Sequence, residues 1–378
     1  MRLKLIAFFV IFSQLCAFSF QAQAQTTPPQ VTKAIFRFNF NRDIGNWATF
    51  GNGSAACITT EPELVKEGRG ALKYKYEIGK GFQGILITTF AEGKMSNVRS
   101  LRFWVRPDHT TTLSFILSEK DGGRYAVSFH AIKDVWTQAE FSPGDFVLDE
   151  GKDAPKDPDG VLDLELVNTL ALVDVSQTYP QSDAISKLFP VKIGSHMLLL
   201  DDCNFYDTYL PSASNIKNGE GSLDLFNRLQ LNWVILGDMK IEMLKSDKPF
   251  EGAAIQAKYH QTKARITAIS KRVSPGSIAQ SKRLHLSVAS EKEMKLLIQL
   301  EERNGGKYST VVMIPAGSMK VDLDLPFANF KASDDSKDDN GRLDLDQVNQ
   351  LLLLDASGIV DGADADNTLW LGNIKVSK

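Results

Sequence analysis

The chain repeats itself, and no other feature limits its fold as strongly. Glu119-Lys120-Asp121-Gly122-Gly123-Arg124-Tyr125 returns as Glu302-Arg303-Asn304-Gly305-Gly306-Lys307-Tyr308, an offset of 183 residues from Tyr125 to Tyr308. Leu101 and Leu284 share that offset, as do Ala71 to Tyr76 and Ala254 to Tyr259. Phe40 to Trp47 matches Phe226 to Trp233 at 186, and Gly160 to Ser176 matches Gly341 to Ser357 at 181, a drift that a few loop insertions explain. Two copies of one domain follow, each of a size that one hydrophobic core can support. We expect a first module over 33–207 and a second over 222–378. Between them, 208–221 is rich in small, polar and turn residues and reads as a linker.

Within a copy the hydrophobic period is two. Leu101, Phe103 and Val105 alternate with Arg102, Trp104 and Arg106; Leu113, Phe115 and Leu117 alternate with Ser114, Ile116 and Ser118; Tyr125, Val127 and Phe129 alternate with Ala126, Ser128 and His130. Such runs predict half-buried strands. Asp121-Gly122-Gly123 predicts a hairpin turn, since glycine accepts positive φ. Leu162 to Asn168 and Leu343 to Asn349 predict short helical turns before another apolar strand. The fold class is therefore all-β: two tandem β-sandwiches of jelly-roll type.

Composition narrows the function classes. The 378 residues are 43% hydrophobic and 24% charged, with a net charge of −3, which excludes a disordered chain and offers no basic surface for nucleic acid. Three cysteines exclude a disulfide-stapled miniprotein. Arg2 and Lys4, the apolar run Leu5 to Phe12 and Ala22-Gln23-Ala24 predict a signal peptide over 1–24, hence export to the periplasm or beyond. Cys16 follows Leu15, not a small residue, and reads as part of that signal. No later run has the length of a membrane span.

The order of elements in the first copy resembles the family 11 carbohydrate-binding modules and the wider galactose-binding-like jelly rolls. The resemblance rests on Phe38-Asn39-Phe40 to Trp47, Gly70-Ala71-Leu72, Leu101 to Pro107, Trp136 to Phe146, and Leu198-Leu199-Leu200-Asp201-Asp202. The pattern is also similar to that of complex I intermediate-associated protein 30, so it speaks to fold before ligand. The family implies non-catalytic binding of a polysaccharide, commonly a β-glucan, on a sheet face. It also implies one structural calcium, which would fall on Asn39, Asp201 and Asp202 in the first copy. Gly372 and Asn373 replace the acidic pair in the second copy, where no calcium is expected.

The repeat also points to a ligand face. Inward positions stay apolar in both copies, whereas Arg102, Trp104 and Arg106 become His285, Ser287 and Ala289, and Ser128 and His130 become Val311 and Met313. A sugar ring presents an apolar CH face and a rim of hydroxyls, so an aromatic platform beside fixed polar groups suits it. Arg102, Trp104, Arg106, Ser128 and His130 are the candidate ligand-binding set. A Trp covered by a loop, with the arginine stems packed on it, is the structural alternative. Trp47 and Trp233 recur and read as core, Trp136 opposite Met319 also reads as core, and Trp370 has no aromatic counterpart. Cys57 and Cys203 are either a disulfide or two core thiols. Asp334 to Gly341 fails the EF-hand template and reads as a solvated loop.

No nucleophile elbow, phosphate loop, zinc spacing or dinucleotide fingerprint is present. Two copies fill the chain, and no catalytic domain is expected. The reading is an exported binder of polysaccharide or oligosaccharide; the alternatives are an adaptor that binds another protein and an accessory subunit of a glycoside hydrolase.

Overall fold

The computed structural model describes residues 33–149, 156–246, 248–263 and 266–378. The expected signal peptide, Cys16 and part of the acidic loop of the first copy lie outside them. The first module runs β1 (Phe36–Phe38), β2 (Ala48–Phe50), β3 (Ala55–Thr59), β4 (Ala71–Ile78), β5 (Ile85–Thr89), β6 (Ser100–Pro107), β7 (Thr111–Glu119), β8 (Arg124–Ala131), β9 (Thr137–Phe141), β10 (Val147–Leu148), β11 (Val167–Asp174) and β12 (Gly194–Tyr206). These form two antiparallel sheets: β3-β4-β12-β6-β9, with β1 also on β12, and β10-β8-β7-β11-β5-β2. We call them the front and back sheets. Alternation buries one face of each, and Phe103 of the front sheet stacks on Phe115 of the back sheet with centroids 4.8 Å apart. The all-β sandwich expectation holds.

The second module repeats the plan with β13 (Gly221–Asp224), β14 (Val234–Leu236), β15 (Met239–Leu244), β16 (Ala254–Gln261), β17 (Ala268–Arg272), β18 (Arg283–Ser290), β19 (Met294–Glu302), β20 (Lys307–Ile314), β21 (Val321–Pro326), β22 (Lys331–Ala332), β23 (Val348–Asp355) and β24 (Ala365–Ser377). Its sheets are β15-β16-β24-β18-β21, with β13 on β24, and β14-β17-β23-β19-β20-β22. The segments before β11 and β23, expected as short helical turns, are single hydrogen-bonded turns closed by Leu166 N–H to Asp163 O (2.8 Å) and Gln347 N–H to Asp344 O (2.8 Å), and the strands already begin at Val167 and Val348. Gly122, at φ 132°, turns β7 into β8. Trp47 and Trp233 are buried, as expected of recurring core residues.

The stretch 208–221 is tied down between the modules. Ala213 is buried and donates its N–H to Asp145 Oδ1 (2.7 Å). Asp145 also meets Arg228 of the second module, whose Nη2 donates to its Oδ2 at 2.6 Å and to Pro211 O at 2.5 Å. The side chains of both ions are buried. The amide of Gln230 pairs with both backbone groups of Glu140 (2.9 and 3.1 Å) and so caps the free edge of β9. His130 N–H donates to Leu231 O (2.9 Å), and Ile235 N–H donates to Thr112 Oγ1 (3.1 Å). Ala34–Lys378 accordingly forms one compact unit.

Candidate functional site

The five candidate ligand residues do not share a face. Arg102, Trp104 and Arg106 project from β6 on the outside of the front sheet, whereas Ser128 and His130 project from β8 on the outside of the back sheet. The correction has a simple cause: alternation says whether a side chain points in or out, but not which of two sheets its strand has joined. Ser128 lines a small cavity shared with Asn232, Val234 and Ser270 of the second module. His130 is buried, and neither ring nitrogen has a hydrogen-bond partner among the described residues. Burial alone pushes its pKa down to about 4, so the ring is neutral.

The front-sheet group remains together. Arg102 pairs with Glu140 at 3.0 Å, and its guanidinium lies 5.9 Å from the Tyr206 ring. Arg106 donates to Glu63 O at 2.7 Å, and Lys66 Nζ sits 4.4 Å from the Trp104 ring. Loop 61–69 therefore lies over this face, in line with the alternative weighed for Trp104, while Trp104 stays half-buried and Lys66 is exposed. Trp136 corrects a second expectation. It is half-buried and absent from the core, and it precedes β9 in the row that carries Gln138 and Glu140, opposite Trp104 and Arg102. Its counterpart Met319 is 65% exposed. The row Trp136, Gln138, Glu140 against Ala139 and Phe141 was the available signal. Trp370 packs outside the second module's corresponding sheet, on Phe250, Ala254 and Ala289.

Asp201 is fully buried, and burial raises its carboxyl above the usual range against the N–H donors that lower it. Its Oδ2 accepts from Lys66 and Glu67 N–H (2.9 Å each) and its Oδ1 from Asp202 N–H (2.8 Å), so it clamps loop 61–69 to the sheet. Asp202 Oδ2 accepts from Asn204 Nδ2 (2.7 Å), and Asn39 Oδ1 accepts from Asn41 N–H (3.3 Å). Calcium takes six or more oxygen ligands. With the buried carboxylate turned onto N–H groups, these residues fit a loop clamp better than an ion. The pair sits at a bulge in β12, where Asp202 adopts φ 43°; Asn373 adopts φ 51° in β24. Asp and Asn tolerate this left-handed conformation better than most residues.

Cys57 is exposed on β3 and Cys203 is buried in the core, and both thiols are free. Burial raises the Cys203 thiol far above its ordinary value. The loop acids are partly employed: Tyr125 donates to Asp157 (2.5 Å), and Tyr308 donates to Asp338.

Sequence reasoning missed a cluster where β6 crosses to β7. Asp108 and His109 follow β6, and His196 stands on β12. His109 Nδ1 and His196 Nδ1 lie 2.8 and 3.1 Å from the same oxygen, Asp108 Oδ1. His109 Nε2 lies 3.0 Å from Asp174 Oδ2, and His196 Nε2 lies 2.8 Å from Lys192 O. Burial disfavours the charge on His109, but the carboxylates of Asp108 and Asp174 outweigh it and raise the pKa to about 9. Asp174 is fixed in turn by Tyr76 Oη (2.6 Å), Thr111 Oγ1 (2.6 Å) and Ser176 Oγ (2.7 Å). His109 and Ser176 line a cavity of about 380 Å³ that His130, Lys192 and Met239 also border.

No protein-family model matches the sequence, and no curated protein matches it. Among solved structures, the chain is similar to a family 11 carbohydrate-binding module from Clostridium thermocellum in complex with a β-1,3-1,4-mixed-linked tetrasaccharide. That match has 13% identity over 46% of this chain and 96% of that chain, with a TM-score of 0.36. The chain resembles carbohydrate-binding modules. The family 11 module of the cellulosomal cellulase Lic26A-Cel5E of Clostridium thermocellum matches with 20% identity over 43% of this chain and 95% of that one, TM-score 0.35. The CBM22-1-CBM22-2 tandem domain from Paenibacillus barcinonensis Xyn10C matches with 10% identity over 92% of this chain and 98% of that one, TM-score 0.30. No helix among the described residues is long and apolar enough to cross a membrane.

Proposed function

We propose that the protein binds polysaccharide without cleaving it, through the outer face of the front sheet of the first module. The observation that carries this reading is the half-buried pair Trp104 on β6 and Trp136 just before β9, set among Arg102, Arg106 and Gln138. The indole faces supply apolar platforms, and the guanidinium and amide groups supply donors for ring hydroxyls. Lys66 is a movable cover: a cation on an exposed indole contributes only about 0.5–1 kcal/mol, which a stacked sugar can replace. The second module carries His285, Ser287 and Ala289 at the same positions, and its Trp370 packs on Phe250, Ala254 and Ala289. A mixed-linkage β-glucan is the first ligand to test.

Affinity electrophoresis through immobilised glucans should retard the protein. Trp104→Ala should weaken binding about thirtyfold or more, as loss of a central aromatic anchor does, and Trp136→Ala should weaken it less. A glycan array without a saturable signal would overturn the reading. The alternative of a protein-binding adaptor draws on Val311 and Met313, which are 53% and 49% exposed on β20. It predicts binding that Val311→Ser abolishes and Trp104→Ala spares.

A further inference from the structure

The two histidines beside Asp108 face a proton-counting problem. A neutral imidazole has one N–H and can serve one acceptor. Yet both nitrogens of His109 lie against carboxylate oxygens, and both nitrogens of His196 lie against oxygens as well. With Asp108 ionised, protons alone would satisfy all four contacts only with two imidazolium rings side by side, their centroids 4.3 Å apart. Like charges at that distance repel.

We propose that Asp108, His109 and His196 bind one divalent transition-metal ion, with zinc the first candidate. The donor atoms of the three residues all lie within 4.8 Å of one another. Both Nδ1 lone pairs and one Asp108 oxygen would ligate the ion. Both Nε2–H groups would then donate outward, His109 to Asp174 and His196 to Lys192 O. That is the supporting arrangement metal-bound histidines commonly have, with the second nitrogen held by a carboxylate or carbonyl. Two imidazoles and one carboxylate suit zinc and its first-row neighbours better than calcium or magnesium, and they leave a fourth position for water or another ligand. The second module is an internal control. Its equivalents are Glu291, Lys292 and Asn367, and it retains the Tyr259–Asp355 hydrogen bond (2.7 Å) that matches Tyr76–Asp174.

The test is a zinc titration of tag-free, chelator-treated full chain by calorimetry. One saturable site is expected, with affinity falling about a hundredfold or more in His109→Gln and His196→Gln. His260→Gln should bind as the wild type does, although His260 lies between Asp364 and Asp366 on the surface. Cys57→Ser should also be unchanged. Should a histidine variant fail to fold, ¹⁵N-detected imidazole spectra of the wild type decide the matter, since zinc should move Nδ1 of His109 and His196 but not the His260 ring. Absence of saturable uptake, uptake unchanged in both variants, or shifts confined to other histidines each overturns the proposal.

Discussion

Tyr76 and Tyr259 occupy the same place in the two modules, and each donates its hydroxyl to a buried aspartate, Asp174 or Asp355. Tyr125 and Tyr308 likewise reach loop acids at Asp157 and Asp338. Around this shared frame the modules part company. Both aspartates accept the N–H of the serine two residues on, Ser176 or Ser357, but the first module adds His109, Thr111 and the Ser176 hydroxyl around Asp174, whereas the second adds Gln261 beside Asp355. Outside the front sheet, two arginines and a tryptophan stand where the second module has His285, Ser287 and Ala289. Duplication preserved the buried polar pairs, whose loss would leave unsatisfied groups in a dry interior. The surfaces that could meet a ligand diverged.

The largest test of the comparison concerns the link between the halves. Arg228 and Asp145 are buried together, and removal of one partner from such a pair costs about 3–5 kcal/mol. Arg228→Met should therefore lower the urea midpoint strongly and split unfolding into two transitions, one per module. Adding Asp145→Leu should recover much of the loss, because it removes the stranded charge. A single unshifted transition in Arg228→Met would show that the modules are coupled by other contacts.

A smaller effect comes from His130, which the second module covers and which has no equivalent titration at Met313. Its folded pKa of about 4 lies below the unfolded value near 6.5, so the unfolded chain takes up the proton first. The stabilisation is complete above about pH 6.5 and is lost as pH falls toward 4, on the order of 3 kcal/mol. His130→Leu should flatten that part of the stability profile. An unchanged slope would mean that the ring is hydrated.

These sites differ in how far the sequence discloses them. Period-two alternation makes the outward row Arg102, Trp104, Arg106 legible, and the repeat makes Trp47 and Trp233 legible as core. Sheet membership is invisible to both signals, because β6 and β7 alternate identically yet lie in opposite sheets. Alternation therefore groups Ser128 and His130 with Trp104, although the back sheet carries them. Trp136 was hidden by its alignment with Met319, an apolar exchange that resembled core conservation. The calcium expectation for Asp201 and Asp202 comes from the family resemblance, and the mid-strand bulge that turns Asp201 onto the N–H groups of loop 61–69 leaves no periodic mark. The Asp108, His109 and His196 cluster depends on β12 crossing beside the end of β6, a long-range pairing that no local spacing encodes.

The two recurring tryptophans give the finest comparison. Trp233 Nε1 donates to Asp224 Oδ2 (2.9 Å), which Lys271 Nζ also meets at 2.7 Å. At the matching position before Trp47 stands Phe38, whose ring lies 5.7 Å from the indole, and Trp47 Nε1 has no partner among the described residues. Both substitutions to Phe remove similar buried area, and their difference isolates the hydrogen bond to a charged acceptor. Trp233→Phe should cost about 1–2 kcal/mol more than Trp47→Phe by chemical denaturation. Equal costs would mean that a water molecule serves Trp47, and that the two cores are closer in polarity than Phe38 and Asp224 suggest.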